Sequence, residues 1–280
     1  MGMIRATTSE IFADPRHGQI AALSILATLG TVYLAFEMAW WRPVTAIATT
    51  ITVQFLVAQI LRVRFDWRSA AITGLSLTLL LRTSGPELVV LAASVAIASK
   101  ALMRVDGRHF FNPAAIGIVI TIALFDGAWV SPGQWGTGGL VVPVAVAAGL
   151  AITYGVRRLE VPLAFLVFWA ILLFTRAIWL GDPMAIPLHQ MQSGMIVVFA
   201  FFMISDPMTM PWHPAARLGW TGLVAVTGFA LQTSSIVDAG PMYGLIAMAP
   251  LVPVLNRLFP APSAKWRKPS SPPVKELVNV

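Results

Sequence analysis

The sequence contains no cysteine and only four histidines. The lack of cysteine excludes disulfides, protein-ligated iron–sulfur clusters, c-type haem and thiolate zinc sites. Charged residues are also scarce, at 11% of the chain, whereas soluble domains carry about 25%. Because so few residues are charged, water is not the main solvent of this chain.

The patterns of two common binding classes are missing as well. No Gly-x-Gly-x-x-Gly fingerprint of a dinucleotide site is present, so the chain is not expected to bind NADH itself. The net charge of +7 could indicate nucleic acid, but the basic residues stand singly between apolar runs, without interleaved aromatics. They are better explained as signals of membrane topology, and no nucleic-acid partner is predicted.

Apolar runs are abundant: 57% of the residues are hydrophobic, and the mean hydropathy is +0.78. A membrane-spanning helix needs roughly 20 mostly apolar residues. The runs therefore predict an all-α polytopic membrane protein of about ten transmembrane helices in a lipid bilayer. The candidate spans are 19–38, 43–61, 69–82, 87–104, 111–125, 138–155, 160–180, 192–205, 217–232 and 241–259.

These runs predict one membrane domain, 19–259, between a cytoplasmic N-terminal segment, 1–18, and a disordered cytoplasmic tail, 260–280. The tail is rich in proline, serine and lysine and has no periodicity. The third, fifth and eighth runs are short for a full crossing, which favours broken or tilted helices there. The first run follows basic residues as a signal peptide does, but no cleavage site follows it, so it is retained as a helix.

Basic residues predict the orientation of the chain. If the N-terminus is inside, 16 of the 19 Lys and Arg residues fall on the inner side, and only Arg42, Arg82 and Arg176 fall on the outer side. This is the bias that the positive-inside rule describes. The chain is therefore predicted to lie in a bacterial inner membrane, with both termini in the cytoplasm.

The first inner-side segment of interest spans 104–115, and its central part runs from His109 to Pro113. Asn112 directly precedes Pro113, so its most economical role is to cap the next helix. A functional role uses its neighbours: Phe110 and Phe111 supply flat apolar surfaces, and the polar groups of His109 and Asn112 suit the edge of a planar ligand. Both interpretations stay open on the sequence alone.

The second inner-side segment, 205–211, reads Ser-Asp-Pro-Met-Thr-Met-Pro. Its two prolines favour an ordered, extended loop, in which Asp206 and Thr209 could serve only as turn or cap residues. By topology it faces the same side as the first segment, so the two could line one cavity. Lys100, at an inner span end, is expected to extend to the interface, and Thr73 to bond across helices.

Four stretches, 66–81, 96–100, 111–114 and 205–211, come in the order and approximate spacing of the NqrB/RnfD membrane subunits. Those subunits belong to the sodium-pumping NADH:quinone reductase and to the Rnf electron-transport complex. The combination of Phe-Asn-Pro-Ala, after a lysine-bearing helix, with the Ser-Asp-Pro-x-Thr-x-Pro loop carries the resemblance. It implies a ten-helix fold distantly like ammonium or urea channels, and a subunit that passes electrons through flavins beside other subunits.

This sequence departs from the family at two flavin sites. The outer-side Ser-Gly-Ala-Thr motif that carries covalent FMN is absent. The most similar outer-side stretch, Asp126-Gly127-Ala128-Trp129, has no hydroxyl at its fourth residue, so no covalent FMN is expected. At the inner-side Asn-x-x-Asn-Pro segment His109 replaces the first asparagine. A non-covalent riboflavin or FMN remains the expectation. The candidate cofactor-binding residues are His109, Phe110, Phe111, Asn112, Pro113, Ser205, Asp206, Thr209, Lys100 and Thr73.

Two other functions are open on the sequence. One is a transporter or channel for flavin or another small molecule, which keeps the fold without redox activity. The other is an accessory subunit that only holds partners together. No catalytic residue and no metal ligand is assigned under any of the three.

Overall fold

The computed structural model describes residues 14–33, 39–135, 141–155, 158–234 and 236–262. This part of the chain is mostly helical. Its α-helices are α1 Pro15–Tyr33, α2 Trp41–Ile60, α3 Trp67–Leu80, α4 Pro86–Leu102, α5 Pro113–Leu124, α6 Val141–Gly155, α7 Glu160–Leu180, α8 Ala185–Met191, α9 Gly194–Val198, α10 Pro214–Thr233, α11 Gly240–Met248 and α12 Leu251–Leu258. A π-helix, Phe199–Met203, continues α9.

Each of the ten predicted runs overlaps a helix of the structure. Two described helices, α2 and α7, are long and apolar enough to cross a membrane by length and composition. The number of spans and their orientation therefore stay predictions. The tenth run is divided into α11 and α12 at Pro250, and the short helix α8 lies in a predicted outer loop. Most of the predicted N-terminal segment and tail, 1–13 and 263–280, lies outside the described residues.

The centre of the fold is α3, which packs against α1, α2, α4 and α5. All residues of α3 from Thr73 to Leu80 are buried, so this helix has no solvent or lipid face over its second half. Small residues allow close approach: a Cβ added at Gly74 would lie 2.8 Å from Thr50 Oγ1 of α2, and one at Gly117 of α5 would lie 2.5 Å from a carbonyl of α4. Such small-residue contacts are typical of helix packing in membranes.

Two of the short core helices, α3 and α9, end inside the molecule. With 14 residues at about 1.5 Å each, α3 is roughly 21 Å long, which is less than the roughly 30 Å of a bilayer's hydrocarbon core. Strand β1, Leu81–Thr83, follows directly and pairs antiparallel with β4, Ala128–Val130. In the same way α9 and the π-helix are buried throughout, and together they are short. The expectation of interrupted helices in the third and eighth runs agrees with this arrangement.

A β-hairpin marks the opposite end of the molecule from the β1–β4 pair. Strands β2, Arg104–Val105, and β3, Arg108–His109, pair antiparallel. Asp106 and Gly107 form the turn with φ values of 51° and 76°. Positive φ at both central residues is the mark of a type I′ hairpin turn, for which Asp-Gly is a preferred sequence. We call this the hairpin end and the other the strand end.

Hydrogen bonds assign the helix termini to these two ends. At the strand end, Arg42 at the start of α2 donates to the Thr83 carbonyl at 2.8 Å. At the hairpin end, Arg16 at the start of α1 pairs with Asp66 before α3. Arg217 at the start of α10 pairs there with Glu160 at the start of α7. The helices α1, α2 and α3 therefore alternate in direction through the core, and α7 and α10 both begin at the hairpin end.

Candidate functional site

A cavity of about 270 Å³ opens at the hairpin end. Its walls come from the start of α1, the first half of α3, the end of α4, the hairpin, the start of α5, the end of α6, the π-helix and the 205–211 loop. The two inner-side segments predicted to share a cavity do line this one together. Its volume lies just below the range of about 300–1,000 Å³ that is typical of small-molecule sites.

One wall is a polar stripe of α3. Ser69, Thr73 and Ser76 line the cavity, and Asp66 does so from the position before the helix. Spacings of three and four residues place these side chains on one helix face. The Thr73 hydroxyl donates to the Ser69 carbonyl of its own helix at 3.0 Å, so the expectation that Thr73 bonds across helices is wrong.

Lys100, near the end of α4, ties three helices together beside this stripe. Its ammonium donates to Gln54 Oε1 of α2 at 3.0 Å and to Ser69 Oγ of α3 at 2.6 Å. The side chain is half-buried and lines the cavity. The ammonium therefore lies among helices rather than extending to the interface as expected.

His109 lines the cavity from the last position of the hairpin. Burial and the positive charges of Lys100, Arg104 and Arg108 lower the pKa of His109 to about 3. The imidazole is therefore neutral at physiological pH, with one nitrogen that donates and one that accepts. Within the described part of the chain its ring has no hydrogen-bond partner, so both nitrogens are available to a ligand.

Asn112 caps α5, and it also fastens the π-helix. Its Oδ1 accepts from the Ala115 amide at 3.0 Å, and its Nδ2 donates to the Met203 carbonyl at 3.1 Å. The side chain is 6% exposed and lines the cavity. An amide side chain has two N–H groups and two acceptor lone pairs, so one of each is left after these bonds. The capping and ligand-binding interpretations of Asn112 are thus compatible.

Flat apolar surface comes from the π-helix and not from the phenylalanines predicted to supply it. Phe201 and Phe202 line the cavity. Phe110 and Phe111 pack on each other, with ring centroids 4.6 Å apart, and neither lines it. π-helical turns are rare and are frequently found at functional sites.

The Phe201 ring packs against α6 at Gly149. A Cβ added at Gly149 of α6 would lie 2.5 Å from the Phe201 side chain. Only glycine therefore leaves room for the ring where it now lies.

The 205–211 loop closes the remaining side of the cavity. Asp206 Oδ1 accepts from the Met208 amide at 2.9 Å, and the Thr209 amide donates to the Asp206 carbonyl at 3.1 Å. Thr209 is buried and acts as a turn residue, away from the cavity. Burial raises the pKa of Asp206, while the Met208 N–H and the positive charges of Lys100 and Arg108 oppose that shift.

Arginines hold this loop at both of its ends. Arg108 of the hairpin donates to the Pro207 carbonyl at 2.8 Å, and its guanidinium lies 5.5 Å from the Trp212 ring centroid. Arg217, 2% exposed, donates to the Trp212 carbonyl at 3.1 Å and pairs with Glu160. The hairpin and the loop therefore form one rigid rim around the cavity.

The structure thus brings together seven of the ten predicted site residues and leaves three outside the cavity. The three outside are Phe110, Phe111 and Thr209. The seven that line it are Thr73, Lys100, His109, Asn112, Pro113, Ser205 and Asp206.

Sequence reasoning missed Asp66, Ser69 and Ser76, although their spacing with Thr73 on a helix was available as a signal. It also missed the hairpin, which the Asp106-Gly107 dipeptide indicates.

At the strand end, the segment 126–129 that resembles the covalent flavin motif forms part of the β1–β4 pair. Ser84 N–H donates to the Gly127 carbonyl at 2.8 Å, and Trp129 lies opposite Arg82. Its fourth position is an indole, 46% exposed, which offers no oxygen for a phosphoester. This geometry gives no reason to expect covalent flavin at this segment.

Comparison with known families gives one assignment. Residues 131–264 match the model of the NQR2, RnfD, RnfE family. The matched region contains the 205–211 loop, the π-helix and the end of α6, and it lies after the Phe-Asn-Pro-Ala segment. No curated protein matches the chain.

Proposed function

The chain belongs to the NQR2, RnfD, RnfE family of integral membrane proteins, and from this premise we propose that it is the flavin-holding subunit of an electron-transport complex. In this proposal the cavity at the hairpin end holds the ring of a non-covalent riboflavin or FMN. The bound flavin supplies one- and two-electron transfer, and the protein supplies binding and orientation. Other membrane or peripheral subunits of the complex exchange the electrons with it.

The observation that carries the proposal is the donor set of the cavity. Phe201 and Phe202 offer apolar surface for a flat ring. His109 and the unused half of the Asn112 amide offer a donor and an acceptor each, which suits a ring edge with alternating carbonyls and nitrogens. Lys100 keeps one N–H after its two hydrogen bonds. The apolar surface and the hydrogen-bonding groups of this cavity therefore suit a compact planar heteroaromatic group.

The two arginines that line the cavity, Arg16 and Arg104, indicate that the site recognises the flavin ring and not the phosphate of FMN. Arg16 already pairs with Asp14 and Asp66. Arg104 is exposed and bonds the Gly107 carbonyl within its own hairpin. Because both are engaged, riboflavin and FMN are expected to bind with similar affinity.

The experiment compares a cavity residue with a matched surface residue. Thr73→Leu adds bulk to the cavity, whereas Thr28→Leu makes the same change on the exposed face of α1. We expect Thr73→Leu to lower riboflavin affinity at least tenfold, measured by fluorescence quenching on the purified protein, and Thr28→Leu to leave it unchanged. The visible spectrum after gentle detergent extraction is recorded in parallel.

Three results contradict the proposal. The first is a wild-type protein that neither retains nor rebinds flavin. The second is redox-silent uptake of riboflavin into vesicles that contain only this protein, since that result assigns the cavity to transport. The third is equal riboflavin affinity of the two threonine variants, which places the flavin elsewhere in the molecule.

A further inference from the structure

The ammonium of Lys100 is held only by neutral groups. Its two hydrogen bonds go to the Gln54 amide oxygen and the Ser69 hydroxyl. In the part of the chain that the structure describes, no carboxylate lies within ion-pair distance of Lys100. An ammonium has three donors, so one N–H remains, and Lys100 lines the cavity.

The other cations that line the cavity differ from Lys100 in this respect. Arg16 is neutralised by Asp14 and Asp66. Arg104 is exposed and is therefore screened by water. An ionic group without a partner inside a membrane protein is costly, and it usually marks a site where a substrate or cofactor completes the pair. Asp66 and Asp206 also line the cavity and attract Lys100 from beyond ion-pair distance, but Asp66 is paired with Arg16 and neither carboxylate contacts the ammonium. A contacting acceptor for the remaining N–H of Lys100 is therefore expected from the occupant of the cavity.

On the basis of the proposed flavin function, we propose that Lys100 binds the pyrimidine edge of the ring and that the cavity therefore prefers the reduced, anionic flavin. Reduction adds two electrons, from a low-potential carrier on another subunit, and one proton, from water at the hairpin end. The product carries one net negative charge, shared by the pyrimidine nitrogen and its neighbouring carbonyl oxygens. The oxidised ring is neutral and gains only a hydrogen bond from Lys100.

When a site binds one redox state of flavin more tightly than the other, the reduction potential shifts by an amount that the ratio of the two affinities determines. For a two-electron couple, a tenfold difference in affinity corresponds to about 30 mV. Replacing Lys100 with an uncharged side chain should weaken binding of reduced flavin at least tenfold more than binding of oxidised flavin. The midpoint potential should then fall by about 30 mV or more.

The experiment uses the full chain in nanodiscs, loaded with riboflavin and titrated anaerobically with dithionite. Lys100→Met and Lys100→Gln remove the charge, and Lys100→Arg keeps it. Arg64→Met is the matched control, because it removes one positive charge from an exposed loop that does not line the cavity. We expect the potential to fall in the two uncharged variants and to stay near the wild-type value in the other two.

A second measurement needs only the wild-type protein. Uptake of one proton with two electrons makes the midpoint potential fall with pH half as steeply as uptake of two protons does. The other charged or titratable groups that face the cavity are Arg16 from α1, Asp66 from before α3, Arg104 and His109 from the hairpin, and Asp206 from the loop. We expect the half slope between pH 6 and about 7, where the neutral His109 does not change its charge.

The outcomes separate this inference from the proposed function. If Lys100→Met binds oxidised and reduced flavin with the same ratio of affinities as wild type, the proposed role of Lys100 is wrong. The proposal of a flavin site in the cavity is then unaffected. The full slope in wild-type protein also overturns it, even if the Lys100 variants do not fold. A wild-type protein that binds no flavin overturns both proposals.

Discussion

At the scale of single residues, the polar groups of the cavity serve the fold and the site at the same time. Asn112 caps α5 with its oxygen and holds the π-helix with its nitrogen. Lys100 joins α2, α3 and α4 through Gln54 and Ser69. Each bond removes one rotational freedom from a side chain that lines the cavity. The ligand-facing groups are therefore positioned before any ligand binds, which lowers the entropic cost of binding.

His109 makes a prediction for stability against pH. Its pKa falls from 6.5 to about 3 on folding, so between these values the unfolded chain binds more protons than the folded chain. Because of His109, the folded protein therefore becomes less stable relative to the unfolded chain as the pH is lowered from 6.5 towards 3. We expect His109→Gln to flatten that part of the profile of thermal midpoint against pH in detergent.

The control for this experiment is His189→Gln, which changes an exposed histidine of α8. It should reproduce the wild-type profile. The raised pKa of Asp206 acts in the opposite direction, because the folded chain then holds its proton more tightly. The difference between wild type and His109→Gln removes that common contribution. A profile unchanged by His109→Gln contradicts the neutral, buried imidazole.

Residue types and spacing predicted which polar residues line the cavity better than which aromatic rings do. Seven predicted residues line the cavity, since short-range signals such as Asn before Pro and repeated X-Pro steps reflect local backbone geometry. The position of Phe110 and Phe111 outside the cavity has a different origin. Which aromatic rings face a cavity depends on how the π-helix packs on α6, and that long-range contact has no local signature.

At the scale of elements, two interrupted helices shape the cavity. The α3 helix presents its polar stripe from one side, and the π-helix that continues α9 presents Phe201 and Phe202 from another. The π-helix depends on α6, because Gly149 leaves space for the Phe201 ring. The position of this ring is thus set by a contact between elements rather than by its own helix.

Gly149→Ala tests this contact. The new methyl group would lie 2.5 Å from Phe201, so either the ring or α6 must move. Overpacking of this kind costs about 1–3 kcal/mol. We expect a lower thermal midpoint together with weaker riboflavin binding, both measured in detergent.

The matched control is Gly219→Ala in α10, where an added Cβ meets no atom within 4 Å. Alanine favours a helix over glycine by up to about 1 kcal/mol, so this variant should be as stable as wild type or more stable. Its riboflavin affinity should not change. If both variants behave alike, Gly149 is not what positions Phe201.

The positions of the helices were largely predictable, because apolar runs and proline or glycine breaks are local properties. The runs overlap helices throughout, and the three short runs correspond to the short helices α3, α5 and α9. The helix α8 was not predicted, since seven residues give too little periodicity to recognise. The β1–β4 pair was not predicted either, because it joins residues 81–83 to residues 128–130.

At the scale of the whole molecule, the cavity and the basic residues gather at the same end. Arg16, Lys100 and Arg108 lie at the hairpin end, whereas Arg42 and Arg82 lie at the strand end. From the positive-inside rule we expect the hairpin end to be cytoplasmic. A flavin in this cavity would then exchange electrons and protons with the cytoplasmic side.

The lack of native cysteine allows this orientation to be tested directly with single introduced cysteines. Val63→Cys places a thiol in the loop between α2 and α3 at the hairpin end, and Gln190→Cys places one on exposed α8, in a predicted outer loop. Both changes keep the charge of the chain, so neither alters the signal that sets topology. A membrane-impermeant maleimide should label Gln190→Cys in intact spheroplasts and Val63→Cys only after the membrane is opened. The reverse pattern would place the cavity outside, and a soluble electron donor would then have to reach it from the other compartment.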